Sequence, residues 1–520
     1  MRSAAADTAI EQGLSPAWLC TITLPDGRAI RVASTAISVE TGSATDGPYQ
    51  FAPFLAGVDE FEEELDPFAL EGQAALTQAR VEITTTDDLA ALHGSWHHVT
   101  AASVELALCW PEQAWEDRVV MLASGRVQGV KWGRLGEATT FTIETSPETG
   151  GANVGDDTRD VEADFPGALG TDAVALTALD GVHYQRVYGS PGSVPGYKVG
   201  NVGALGFNRV VCAGDHWPSL GSITVYQDGV SAGAYTPATA TATSGPYTYV
   251  QDAALFDSGN GAVTFSADRG GVRDAFDLAN AAIGAGDVVR TLLSESGIKV
   301  DWRRTQRALD LLAGWRVGFW IDEEASAIEL LRDRLLPWLP LVELISGDGT
   351  WFHYADPEAA PIEADLVLGQ QLLGRTERME SSDLDVIRNA FTLRHTREEF
   401  SGEYLSTATL DASNSALCYL SDQLYGTRAD DVQECDVCWD ATTALRILAV
   451  RAARVAMPRR ILKYAMAPQL YWLRAGAGVT LTDADYGIDR ARGVVTSIRR
   501  VGAPEITIEL VDRTPFSVVA

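Results

Sequence analysis

The chain has 520 residues, a formal net charge of −31, and hydrophobic and charged fractions of 46% and 21%. Its length predicts about three or four domains, because a single core does not grow to this size. The excess of carboxylates excludes a sequence-independent nucleic-acid clamp, which needs clustered Lys and Arg, and disfavours docking on anionic lipid. Two readings of the charge stay open: a very soluble surface, or an acidic channel past which a polyanion slides without sticking.

No window reaches the roughly 20 apolar residues of a membrane helix. Near the N-terminus Asp7, Glu11 and Gln12 interrupt what would be the apolar core of a signal peptide, so no secretory leader is expected. Six cysteines in 520 residues do not make a disulfide framework, and most are expected to act as small buried hydrophobes.

Residues 1–155 read as β. Alternating apolar and polar residues predict strands at Leu19–Leu24, Ala29–Ala33, Ala79–Thr84, Ala102–Cys109, Val119–Val130 and Thr139–Glu144. The acidic run DEFEEELDP (Asp59–Pro67) lies in a long connection and reads as a solvated loop. Residues 156–271 shift to Gly, Ala, Ser, Thr and Tyr, with turn signals at Asp228-Gly229 and Asp257–Gly261, and read as an inserted β domain.

Residues 272–375 read as a mixed α/β domain. Amphipathic spacing predicts helices in VRDAFDLANAAIGAGDVVRTLLSES, in TQRALDLLAGW and around Ala325–Leu336, followed by a hairpin turning at Gly347-Asp348-Gly349. Residues 376–520 return to β with one long helix. Strands are predicted in IRNAFTLRHTR, RRILKYAMA, VTLTDAD, RGVVTSIRR and EITIELVDR, and the helix in DATTALRILAVRAARVAM. That helix has an apolar side with Leu445, Leu448, Ala452 and Val455, and a cationic side, Arg446, Arg451 and Arg454, that reads as a solvated face. The fold class is mainly β with an α/β insertion.

Chemistry is sparse. There is no G-x-S-x-G elbow, no Walker loop and no G-x-G-x-x-G between a strand and a helix. HGSWHH supplies His93, His97 and His98, but without a Glu at the H-E-x-x-H position it reads as a loop or packed surface. CDVC spaces Cys435 and Cys438 so that two thiolates reach one metal, with Cys418 near enough in sequence to join them. A fourth ligand would come from further away, such as Cys212 or a histidine, and plain structural cysteines stand beside a zinc or iron–sulfur site. Asp156, Asp157, Glu162 and Asp164 are candidate carboxylates for glycoside hydrolysis, where separation in space decides the mechanism. DADYGID lacks the ligand series of a calcium loop and reads as a hairpin turn. Tyr184, Tyr188, Tyr226, Tyr247 and Tyr249, with Trp217, offer either a sugar platform or ordinary core and interface.

The C-terminal order carries one further signal. Ser421, Tyr425 and Gly426 precede the long helix, and Gly478, Val479, Leu481, Thr482, Asp483, Gly487, Gly493, Val494 and Ile498 then follow as a glycine-bounded hairpin. Over roughly residues 380–515 this succession resembles the C-terminal barrel of tail baseplate hub proteins of tailed bacteriophages and phage-derived tail-like particles. The resemblance implies two tube-type β-barrels, at the N- and C-terminal ends, flanking the small β and mixed α/β domains. It implies a homotrimer in the virion whose six barrels form a pseudo-sixfold ring, joining a sixfold tail tube to a threefold tip. The implied partners are a distal tail protein ring and a central tip, fibre or tape-measure protein, with phage DNA passing through the channel unbound and no membrane anchor. Some hubs of this kind hold an iron–sulfur cluster on cysteines, which bears on Cys418, Cys435 and Cys438. No enzyme is implied. Two other functions are kept beside this one: a carbohydrate- or receptor-binding protein at the tail tip, and a cell-wall glycan hydrolase.

Overall fold

The computed structural model describes residues 14–41, 48–59, 62–64, 78–92, 99, 102–110, 113–144, 152–154, 186–199, 209–213, 223–227, 230–235, 238–241, 246–251, 263–266, 283–346, 349–354, 361–377, 380–381, 384–399, 401–500 and 504–510. The strands before residue 145 are β1 (Ala17–Thr23), β2 (Ala29–Ala33), β3 (Ile37–Val39), β4 (Tyr49–Phe51), β5 (Leu55–Asp59), β6 (Glu62–Glu64), β7 (Gln78–Thr84), β8 (Ser103–Cys109), β9 (Val119–Lys131) and β10 (Ala138–Glu144). A short helix, α1 (Asp87–Ala91), follows β7 and is capped by the Thr86 hydroxyl, which accepts from Leu89 N.

Seven of these strands form one antiparallel sheet in the order β2-β1-β8-β9-β10-β7-β5. Period-two alternation sorts its side chains. Cys20, Ile22, Val104, Leu106 and Leu108 enter the main core, whereas Ala17, Leu19, Ala107 and Cys109 enter a smaller one with Phe51. The two edges of the sheet are tied together just ahead of β5. There Ala33 N donates to Ala52 O at 2.8 Å and Ala52 N donates to Arg31 O at 3.2 Å, a parallel bridge between Val32 and Ala52.

The middle of the chain is organised by pairings distant in sequence. β11 (Asn153–Val154) and β12 (Arg186–Gly189) pair with strands about 130 to 170 residues further on, while the seven strands β13–β19, between Val194 and Phe265, make a separate antiparallel sheet. Two helices follow, α2 (Ala285–Ser296) and α3 (Trp302–Asp310). α2 buries Val288, Val289, Leu292 and Leu293 on one face and ends at Gly297, whose φ of 68° is the left-handed conformation glycine adopts at low cost. β20 (Gly318–Ile321) pairs β12, and β21 (Ala325–Ser326) pairs β11. The helix expected around Ala325–Leu336 is a single α turn, α4 (Ala327–Leu330), running into a π-helical turn at Leu331–Leu335.

The hairpin of β22 (Leu341–Ser346) and β23 (Gly349–Tyr354) is buried on both faces. Leu341 and Phe352 point into the mixed α/β core. Val342, Leu344 and Trp351 cluster instead with Ala475 of the C-terminal region. His353 lies against Gly476, where a Cβ would stand 3.4 Å from the imidazole Cγ.

After β24 (Ile362–Val367), β25 (Leu372–Arg375) and β26 (Glu380–Ser381), a compact unit is inserted. In it β27 (Phe391–Arg397), β28 (Tyr404–Leu410) and β29 (Gln433–Glu434) form a sheet in the order β28-β27-β29 with the helices α5 (Ala416–Tyr425) and α6 (Ala441–Val455). The burial of α6 departs from the expected faces. It buries Thr443, Ala444, Ile447, Leu448, Ala452 and Arg454, and leaves Leu445 42% exposed. Its arginines are not a solvated face: Arg454 is buried, and Arg451 donates to Asp430 at 2.6 Å. The arginine stems pack while their heads find partners, so hydropathy misplaced the stripe.

β30 (Arg460–Met466), β31 (Gly478–Asp483), β32 (Ile488–Arg499) and β33 (Glu505–Leu510) complete an eight-stranded sheet with the order β24-β31-β32-β33-β30-β25, β26 adding to β30 and β6 adding to β32. The last placement corrects the solvated-loop reading of the acidic run, since Glu62–Glu64 pair with Arg499–Ser497. β31 covers β32 only as far as Val494, so one side of residues 497–499 is an open edge, and the N-terminal region supplies the strand that fills it.

Burial pushes the His353 imidazole down to about 4 from its ordinary 6.5. A depressed histidine contributes stability above the unfolded value, and that contribution is lost as pH falls from 6.5 towards 4. Unfolding free energy should therefore drop by about 3 kcal/mol across that window, as measured by denaturant titration. In His353→Leu the drop should flatten; an unchanged slope would mean that another group titrates.

Candidate functional site

The thiols come first. Cys418 sits in the first turn of α5, its N–H bonded to the Ser415 hydroxyl at 3.3 Å. Cys435 and Cys438 lie between β29 and α6, and their side chains contact each other. All three are free and fully buried in the mixed core. Burial pushes the Cys418 thiol up, and burial with the neighbouring Cys438 pushes Cys435 well up. Among the described residues, no three His, Cys, Asp or Glu side chains are placed to hold a metal ion.

The Cys435–Cys438 segment instead works as a crossing point for the backbone. Cys435 N donates to Arg394 O, Gly318 N to Val437 O, and Thr396 N to Cys438 O, each at 2.9 Å. Thr396 itself has φ of 60°, rare for a β-branched residue, and its hydroxyl meets His395 Nδ1 at 2.9 Å. The segment therefore clamps β20 to β27.

Among the other sequence candidates, His93, His97, His98, Asp156, Asp157, Glu162, Asp164, Tyr184 and Trp217 lie outside the described residues, as do the side chains of Tyr247 and Tyr249. Tyr188 is fully buried and donates to Glu295 at 2.9 Å, stacked on Phe319. It is a core residue, not part of a sugar platform. Tyr226 is half-buried on its strand.

The strongest polar constellation was not visible in the sequence. Asp483, at the end of β31, is fully buried and accepts from Arg375 Nε at 2.8 Å, from a second Arg375 nitrogen, from the Tyr464 hydroxyl at 2.8 Å and from Asp485 N at 3.1 Å. Arg375 also reaches Asp485 at 3.0 Å and lies over the Tyr486 ring. Burial raises the carboxyl, but the Arg375 and Tyr464 hydrogen bonds outweigh it and hold Asp483 below its usual 3.8. In sheet order β31 and β25 are four strands apart, a flat distance of roughly 19 Å. A direct bond across that interval requires the sheet to curl. The chain agrees: only four residues, 368–371, join the edge strands β24 and β25, and Leu368 bridges Leu372.

Other carboxylates are similarly committed. Glu343, 1% exposed, takes a two-pronged bond from Arg332, and Glu295 pairs Arg186. A cavity of about 550 Å³ opens beside the π turn, lined by Asn153, Glu324, Ser326, Glu329, Asp333 and Arg334 among others. Three of its groups are already engaged, Asn153 with Glu324 and Arg334 with Asp436.

What the molecule does display is contact surface between sheets. Tyr471 and Trp472 pack against both the N-terminal and the C-terminal sheet cores, at the same junction that β6 spans. Arg500, 1% exposed, fixes the turn below them by donating to the carbonyls of Tyr471 and Leu473.

No protein-family model matches the chain, and no curated protein does. Among solved structures, it is similar to a tail protein from Neisseria meningitidis MC58, with 9% identity, 95% of this chain and 97% of that one covered, and a TM-score of 0.39. It is similar to a 43 kDa tail protein of prophage MuSo2 from Shewanella oneidensis, with 11% identity, coverages of 95% and 97%, and a TM-score of 0.38. A chain from the virion of a native gene transfer agent particle matches at 15% identity over 69% of this chain and 91% of that one, with a TM-score of 0.43.

Two outcomes are expected. Asp483→Asn should cost about 2–3 kcal/mol of unfolding free energy, because it removes the charge that several donors share at a fully buried site. Asp485→Asn, at a side chain 73% exposed, should cost under about 1 kcal/mol. Equal losses would mean that Asp483 is not the anchor. The Asp483 contribution is present above pH 3.8 and should disappear as pH falls through its lower folded value. Separately, Cys418, Cys435 and Cys438 should resist an aromatic disulfide reagent until denaturant is added; rapid native labelling would contradict their burial.

Proposed function

We propose that the chain is a structural wall protein of a phage or phage-like tail: a hub that continues the tail tube and adapts it to the tip. The observation that carries this reading is the pair of sheets. In the N-terminal sheet Val32 of β2 bridges Ala52 just ahead of β5, in the C-terminal sheet four residues join the edge strands β24 and β25, and β6 from the N-terminal region pairs with β32 of the C-terminal sheet. In this reading each is a tube-type barrel, and three chains give six barrels in a pseudo-sixfold ring. The resemblance at Ser421–Ile498 supports the same assignment.

The physics of the role is consistent with the residues. A wall needs closed sheets and broad contacts, because closure removes the edges that would otherwise recruit other chains. A net charge of −31 suits a channel through which DNA moves without binding. The partners proposed are a distal tail protein ring above, a central tip, fibre or tape-measure protein below, and two further copies alongside. The protein acts in the virion and performs no catalysis.

The test is placement in the particle. Antibody against the chain, imaged on intact tails, should decorate one end of the tube only. Decoration along the tube, or release of soluble sugar from cell wall by the purified chain, would overturn the hub reading.

A further inference from the structure

α5 has the composition of a core helix and the exposure of a surface one. Apart from Ser421, Asp422 and Gln423, every residue of Ala416–Tyr425 is apolar. Within the chain it buries only Cys418 and Ser421, leaving Tyr419 55% and Leu424 49% exposed. The surrounding charge is negative. Asp422 lies on the helix, Asp411 on its N-terminal approach and Asp431 beyond its C-terminus, while Arg428 turns back to the Tyr425 carbonyl.

The chemical converse stands on the N-terminal sheet. The turn between β9 and β10 exposes Leu135 by 65%, with exposed Lys131 and Arg134 beside it, in a chain whose net charge is −31. The turn is preorganised. Arg134 N donates to the Glu137 carboxylate at 3.0 Å, Glu137 N to Arg134 O at 2.8 Å and Gly136 N to Thr85 O at 2.9 Å, with Gly136 at φ 83°. A rigid loop loses little freedom on docking. Both patches are exposed in the single chain, so they do not cover each other within it.

We infer that the Lys131–Glu137 turn of one copy docks on the α5 face of the next. Leu135 meets Tyr419 and Leu424, and the two cations face Asp422 and Asp411. The two patches differ, so the contact is heterologous and repeats around a ring until it closes. A ten-residue helix is about 15 Å long, which makes this the apolar centre of a larger interface and not the whole of it. The inference rests on the ring reading above and adds which surfaces meet.

The test uses two full-length variants, Leu135→Cys and Leu424→Cys, with folding checked by thermal melting. They are mixed in a buffer of a small-molecule disulfide. Exchange then joins the two introduced thiols into one interchain disulfide and releases two small thiols, while the five native thiols buried among the described residues stay protected and Cys212 is replaced by Ser in both variants. The mixture should yield a covalent dimer, neither variant alone should, and adding Arg134→Glu to the Leu135→Cys chain should lower the yield several-fold. If the unmodified chain has a trimer's solution mass but the mixture gives no cross-link, the contact is wrong and the ring stands. An unmodified chain that stays monomeric when the adjoining tail ring is added, and a mixture that gives no cross-link there, overturn both. A cross-link in Leu424→Cys alone would mean a symmetric contact and overturn the inference.

Discussion

The C-terminal sheet is held in its shape by one buried carboxylate. Asp483 collects donors from β25, from β30 and from its own turn, elements that a flat sheet would keep apart. Removing a charge from water is unfavourable, and the offset comes from a two-pronged guanidinium, a phenol and a backbone amide in good geometry. Curvature follows from this arrangement. So does the short β24–β25 connection, which joins the sheet's two edge strands. The open side of β32, filled by β6, then fixes where the N-terminal sheet attaches.

The same device recurs at other acids among the described residues. Buried and half-buried acids are committed to arginines: Glu295 to Arg186, Glu343 to Arg332, Asp483 to Arg375. The first and last pin segments more than 100 residues apart, and the second ties the π turn to β22, 11 residues on. The cysteines at 435 and 438 serve the same end through their backbone, which links β20 to β27.

Legibility in the sequence followed the reach of the forces involved. Strands with one wet face were visible at once, because alternation is local: β2 matches Ala29–Ala33, and the final hairpin matches its glycine-bounded pattern, with Gly487 at φ 65° closing the turn. Three features stayed hidden because their partners are remote. Glu62–Glu64 looked solvated until the free edge of β32 supplied a mate. Arg454 looked exposed until its stem found a core. Asp483 looked like a turn residue, and it caps one, yet its decisive partner is Arg375, 108 residues earlier. The helix α5 escaped notice because its apolar residues form no single stripe, and the chain indeed leaves much of it uncovered. The cysteines were legible as buried hydrophobes but not as a backbone crossing, since hydrogen bonds to Arg394, Gly318 and Thr396 leave no mark on local pattern.

The central claim is that this chain closes with its copies into a channel wall. Single-particle imaging of the purified protein, with its solution mass, tests that most directly. The account requires a threefold ring with a central hole, at about three times 55.7 kDa. A compact monomer that stays monomeric when the adjoining tail ring is added would contradict it.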